Sequence, residues 1–93
     1  MNKVISFIQP SRNNLKYLKW SYNSIRKNLG AEHEICWADD FSDDGTWDWM
    51  NEIMRKDDNV QIMRNDGPDR LGHTILYDKL VDMATNDIVM IYH

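Results

Sequence analysis

Residues 34–46 read Glu34-Ile35-Cys36-Trp37-Ala38-Asp39-Asp40-Phe41-Ser42-Asp43-Asp44-Gly45-Thr46, and they decide how the chain folds. Glu34 to Ala38 is a short, mostly apolar run that ends abruptly in two aspartates, the pattern of a buried strand. Ser42 to Thr46 is a turn cluster. Thr46 or Asp44 can cap a helix that carries Trp47, Met50, Ile53 and Met54 on one face.

Upstream, Lys3 to Gln9 is another apolar run, bounded by Pro10, and Ser11–Asn14 forms a turn that can start a helix. Leu15, Leu18, Tyr22, Ile25 and Leu29 then recur at helical spacing, with Lys and Arg outward and Gly30 as the stop. Downstream, Asn59–Arg64 reads as a third strand, Asn65–Pro68 as a loop, and about Leu71 to Ala84 as a third helix with Ile75, Leu76, Leu80, Met83 and Ala84 on one face. Thr85-Asn86-Asp87 turns the chain into a fourth, apolar strand, Ile88–Tyr92. The order β-α-β-α-β-α-β, with strands that are continuous apolar runs, predicts an α/β fold: a parallel four-stranded sheet covered by helices through right-handed crossovers.

Residues 1–93, with 42% hydrophobic and 28% charged residues, Gly 4 and Pro 2, suit one small domain and exclude a collagen or a disordered tail. Cys36 is the single cysteine, so no intramolecular disulfide forms and a reducing cytoplasm is the expected home. No stretch approaches the roughly 20 apolar residues of a membrane span, and the amino-terminal apolar run is too short for a secretory segment. Residues 1–38 hold six Lys/Arg against two Glu, whereas residues 39–93 hold five against thirteen acids, for a net −4. Nucleic acid is therefore not an expected partner, because no net-basic domain supplies the counterion-release term.

In such sheets ligands bind beyond the carboxyl ends of the strands. The polar residues there are Pro10-Ser11-Arg12-Asn13, then Asp39-Asp40 with Ser42, Asp43 and Asp44, then Asn65-Asp66, and His93. Five of the fifteen acids fall between Asp39 and Asp48. Two adjacent carboxylates repel unless something donates to them, so one of the pair can accept from a base or ribose while backbone amides hold the other. A solvated acidic turn that caps a helix is the competing reading. Asp40 to Gly45 also matches the opening of a calcium loop, but its twelfth position is Asn51 and a strand enters it. His33 and His73 lack partners at ligand spacing and read as surface residues, while Trp37, Trp47 and Trp49 read as packing. No Gly-x-Gly-x-x-Gly or P-loop is present.

Val4-Ile5-Ser6-Phe7-Ile8-Gln9-Pro10-Ser11-Arg12-Asn13, a helix, and then the 34–46 segment closely resemble the start of family 2 glycosyltransferases, which typically reads strand, Pro-Thr-Tyr-Asn, helix, strand, Asp-Asp-Gly-Ser-Thr-Asp-Gly-Thr. Arg64-Asn65, Gly67-Pro68, Gly72 and Ala84-Thr85-Asn86-Asp87 follow the same rhythm, so the resemblance spans the chain. It implies the first half of a GT-A domain, a three-layer Rossmann-like unit that binds a nucleotide-diphosphate sugar, UDP-sugar first. Pro10, Ser11 and Arg12 would line the nucleotide, Asp40 would accept from the base edge, Asp39 would be its structural or ribose-side neighbour, and Arg70 would supply a cation near the base or diphosphate.

Departures accompany the matches. Ser11-Arg12 stands for Thr-Tyr, Phe41 for Gly, and Leu76-Tyr77-Asp78 for the family's Ala-Arg-Asn. The sequence ends where the family places its Asp-X-Asp metal motif, with His93 at the first position. The complete family enzyme uses a divalent cation, Mn or Mg, and a carboxylate base, so the expectation is a donor-binding half that binds no cation and is inactive by itself. The alternative from another class is a non-catalytic structural module that self-associates, as a homodimer, through the fourth-strand edge. A receiver-like regulatory domain fits less well, since that fold wants its acidic pair after the first strand.

Overall fold

The computed structural model describes residues 4–91. Its elements are β1 (Ile5–Ser11), α1 (Leu15–Asn28), β2 (Glu34–Asp40), α2 (Thr46–Lys56), β3 (Val60–Asn65), α3 (His73–Met83) and β4 (Asp87–Met90). All strands are parallel, in the order β3-β2-β1-β4, as the alternating pattern predicts. Phe7, Ile35 and Trp37 pack on one face against Leu18 and Ile25 of α1 and Met50 of α2. Ile8, Cys36 and Ala38 pack on the other against Leu76 and Leu80 of α3. Period-two alternation of the two central strands thus feeds two cores and builds three layers.

Pro10 does not bound the first strand but lies inside it, opposite Ala38. The reason lies in which side its missing N–H faces. Ile8 O accepts from Ile91 N at 3.0 Å, so residue 8, and residue 10 two further on, turn their hydrogen-bonding groups toward β4. The next bond of that ladder would run from residue 10 to Ile91 O; Pro10 cannot donate it, the Tyr77 hydroxyl donates to Ile91 O instead, and pairing with β4 ends at Ile8 opposite Met90.

The amino-terminal end of the sheet is closed by polar groups. Glu34, nearly buried, accepts from Ser6 Oγ at 2.7 Å, Gln61 Nε2 at 2.7 Å, and Thr85 N at 2.9 Å. Burial pushes its carboxyl up, but these donors outweigh it and hold the group below its ordinary value. Burial, then the charge of Glu34, pushes the Cys36 thiol up to about 12. His33, expected at the surface, is instead buried: its Nδ1 accepts from Ile5 N at 3.2 Å and its ring meets Phe7 edge-on. A backbone donor at the start of β1 needed an acceptor, and the imidazole supplies it. The fourth strand extends over Asp87–Met90, and Tyr92 of the expected run lies outside the described residues.

Candidate functional site

The carboxyl ends of β1, β2 and β3 converge through the loops 12–14, 41–45 and 66–72. The first two loops are sewn together. Asn13 N donates to Ser42 Oγ at 2.9 Å and Asp43 N donates to Asn13 Oδ1 at 2.9 Å, with Asn13 at φ 49, a region Asn tolerates. Asp44 serves both helices: one carboxylate oxygen accepts from Thr46 N at 3.0 Å, the other from Leu15 N at 3.3 Å. Asn14 therefore starts α1 without a side-chain cap of its own, and Gly45 enters α2 at φ 89.

The two adjacent aspartates have different surroundings. Asp39 is fully buried, and its Oδ2 accepts from Ser42 N at 3.2 Å and Arg64 Nε at 3.1 Å. Its Oδ1 is buried with no hydrogen-bond partner among the described residues. Asp40 accepts from Asn65 Nδ2 at 2.8 Å and Leu71 N at 3.0 Å through Oδ1, and from Gly72 N at 3.0 Å through Oδ2. Burial raises its carboxyl, but those three donors and then the nearby Arg12 charge bring it below the ordinary aspartate value. Asp40 thus ties the 66–72 loop to the end of β2.

Arg64, at the end of β3, donates to Asp39 and, through Nη2, to Ser42 O at 3.1 Å, while its guanidinium lies over the rings of Phe41 and Trp47 at 5.7 and 5.6 Å. In the sequence Arg64 shows only as the close of a strand, and its signal there is a cation at the strand end beside the acidic pair. Phe41 sits at φ 58, the left-handed region that favours glycine, and its ring packs over Gly67. The family's glycine at this position, replaced here by Phe41, has its explanation in that backbone geometry.

Pro10 and Ser11 are buried at the end of β1, and the Ser11 hydroxyl donates to Asn14 Oδ1. Arg12 is half-buried, with Nη1 enclosed and without a hydrogen-bond partner among the described residues, and Asn14 Nδ2 is in the same state. The structure therefore brings Pro10, Ser11, Arg12, Asp39 and Asp40 to one end of the sheet. Arg70 is exposed in the 66–72 loop with no hydrogen bond or ion pair among the described residues. Beside this end, His73, Thr74, Tyr77, Asp78 and Met90 line an open depression of about 380 Å³ between α3 and β4. Among the described residues no three His, Cys, Asp or Glu side chains approach closely enough to hold a metal ion, and His93 lies outside the described residues.

Among the described residues no helix is long and apolar enough to cross a membrane. No curated protein matches the chain. The model of the family described as Glycosyl transferase family 2 matches residues 6–93, which takes in β1 from its second residue, the other three described strands and both aspartates at the end of β2. With a parallel α/β sheet whose loops gather at that end, the chain belongs to glycosyl transferase family 2.

Proposed function

We propose that this chain binds a nucleotide-diphosphate sugar, with uridine as the nucleoside, at the carboxyl ends of β1 and β2, and so supplies the donor side of glycosyl transfer. The observation that carries the reading is the group of buried polar atoms without partners there: Asp39 Oδ1, Arg12 Nη1 and Asn14 Nδ2. Buried polar groups are nearly always satisfied, so an acceptor and two donors left open at one strand end fit an absent polar ligand. A uracil edge offers an N–H flanked by two carbonyls. Asp39 accepts the N–H, Arg12 donates to a carbonyl, Pro10 and Ser11 form the wall, and Arg70 meets the diphosphate. Asp40, whose oxygens are engaged by its own chain, acts by holding the 66–72 loop in place. The reading gives this chain no acceptor base and routes no step through a cation; its residues bind and orient the donor in the reducing cytoplasm suggested by the lone Cys36.

The test is titration calorimetry with UDP, CDP and GDP. An ionised Asp39 only accepts, so it favours the uracil N–H over the bare ring nitrogen of cytosine. Asp39→Asn should weaken UDP at least tenfold and narrow the UDP-over-CDP preference, whereas equal affinities in the wild type would overturn the base assignment.

One observation favours a second reading. Ile88, Val89 and Met90 of β4 are 36%, 40% and 42% exposed, on a strand paired only with β1 among the described residues. An apolar edge of this kind pairs readily with a second copy. Sedimentation equilibrium giving a dimer that Val89→Lys dissociates supports it; a monomer at high micromolar concentration removes it.

A further inference from the structure

Helix α1 carries Lys16, Lys19, Arg26 and Lys27 and no acidic residue. At 100° per residue, Lys16, Lys19, Trp20, Asn23 and Lys27 fall within an arc of about 100°, spread along about 16 Å of the helix axis. Every one of the five is exposed, and the arc lies opposite the buried Ile25. Trp20 is 65% exposed, the most open of the large hydrophobic side chains among the described residues, and the Tyr17 ring lies beside it, tilted by 35° with ring centres 5.9 Å apart. The Lys19 charge reaches Glu52 of α2, and Glu52 is ion-paired with Lys56 at 3.0 Å.

We propose that the outer face of α1 is a docking surface for an anionic lipid bilayer, with Trp20 entering the headgroup region and Lys16, Lys19 and Lys27 held against the surface potential. The composition of the stripe selects this occupant. Lysine is a compact point charge suited to a diffuse negative field, whereas bidentate recognition of a defined phosphate or carboxylate favours arginine. Protein interfaces are depleted in lysine, and this face is a convex helix surface without a groove. Nucleic acid would meet a chain of net charge −4. An indole on such a face belongs at a membrane–water boundary, where its ring is half apolar and its N–H stays wet. The acid-rich remainder of the chain, thirteen acids against five Lys/Arg in residues 39–93, orients the molecule, since the same field repels it. Docked in this way the strand ends that carry the proposed nucleotide site face along the membrane plane, because α1 packs lengthwise on the sheet.

Cosedimentation of the full chain with extruded vesicles tests this, comparing phosphatidylcholine alone with phosphatidylcholine containing phosphatidylserine. Binding to the anionic vesicles only, weakened by added salt and accompanied by a blue shift of tryptophan emission, is the expected result. Each lysine replaced should lower the partition coefficient roughly fivefold, and Lys16→Glu/Lys19→Glu/Lys27→Glu should abolish binding. Trp20→Phe should remove the emission shift. Lys79→Glu, on exposed α3 across the sheet, should leave the partition unchanged, and circular dichroism checks that each variant is folded. Equal binding to neutral vesicles, no binding at low salt, or an equal loss in Lys79→Glu would overturn the proposal. So would a dimer that the lysine variants dissociate, which would make a second copy the occupant.

Discussion

Asp40→Ala is a direct probe of how the carboxyl end of the sheet is built. The carboxylate is 2% exposed and accepts three hydrogen bonds, at 2.8, 3.0 and 3.0 Å, from Asn65, Leu71 and Gly72. A buried hydrogen bond to a charged group contributes about 1.5–3 kcal/mol net, but Gly72 is exposed and Leu71 half-buried, so their N–H groups regain water and the total falls to about 2–4 kcal/mol. A domain of this size has about 5–14 kcal/mol in all, so the loss is a large fraction of it. Urea unfolding followed by tryptophan fluorescence should show a midpoint lowered by about 2 M for a slope near 1.5 kcal/mol/M. Asp40 has a depressed value in the fold, so its contribution is complete above the ordinary aspartate range near pH 4 and is lost as pH falls through the depressed value. The gap between wild type and variant should therefore close in acid. A midpoint within about 0.3 M of wild type at pH 7, or a gap that stays constant into strong acid, would refute the reasoning.

Other consequences follow from the same contacts. Phe41→Gly should be more stable than Phe41→Ala by about 1 kcal/mol, since both lose the ring over Gly67 but only glycine relieves φ 58; equal urea midpoints would remove the strain argument. Cys36 is fully buried with its thiol pushed up to about 12, so it should resist a disulfide reagent at pH 8 until urea unfolds the chain, and prompt native-state reaction would contradict that placement. Glu34→Ala should cost about 2–4 kcal/mol and speed amide exchange at Thr85 and Asn86, because Ser6, Gln61 and Thr85 lose one shared acceptor. Unchanged exchange at those two amides would show that Glu34 does not anchor the turn into β4.

The elements were legible in the sequence because each strand is an apolar run and each helix keeps a 3.6-residue stripe. Leu18 and Ile25, spaced for one face, are both buried where that spacing puts them. Pro10 misled the boundary of β1 because its cost depends on whether a neighbouring strand reaches that far, which only the β4 register decides. His33 was misjudged because its partner, Ile5 N, is 28 residues away. The adjacent aspartates were legible as a site but not as individuals. Which of them keeps an open oxygen depends on Leu71 and Gly72 reaching Asp40 and on Arg64 reaching only one oxygen of Asp39, contacts from residues 25 to 32 positions distant. Helical spacing alone sets Trp20 off the stripe of Leu18 and Ile25, but how far its ring opens to solvent is decided only when the helix is set on its sheet.

The most direct measurement is an NMR titration of the purified chain with UDP and its sugars, in wild type and Asp39→Asn. Saturable shifts confined to residues 10–14, 39–42 and 64–72, weakened at least tenfold by Asp39→Asn, are the predicted result. No shifts at millimolar UDP, or binding untouched by Asp39→Asn, would contradict the donor-binding reading.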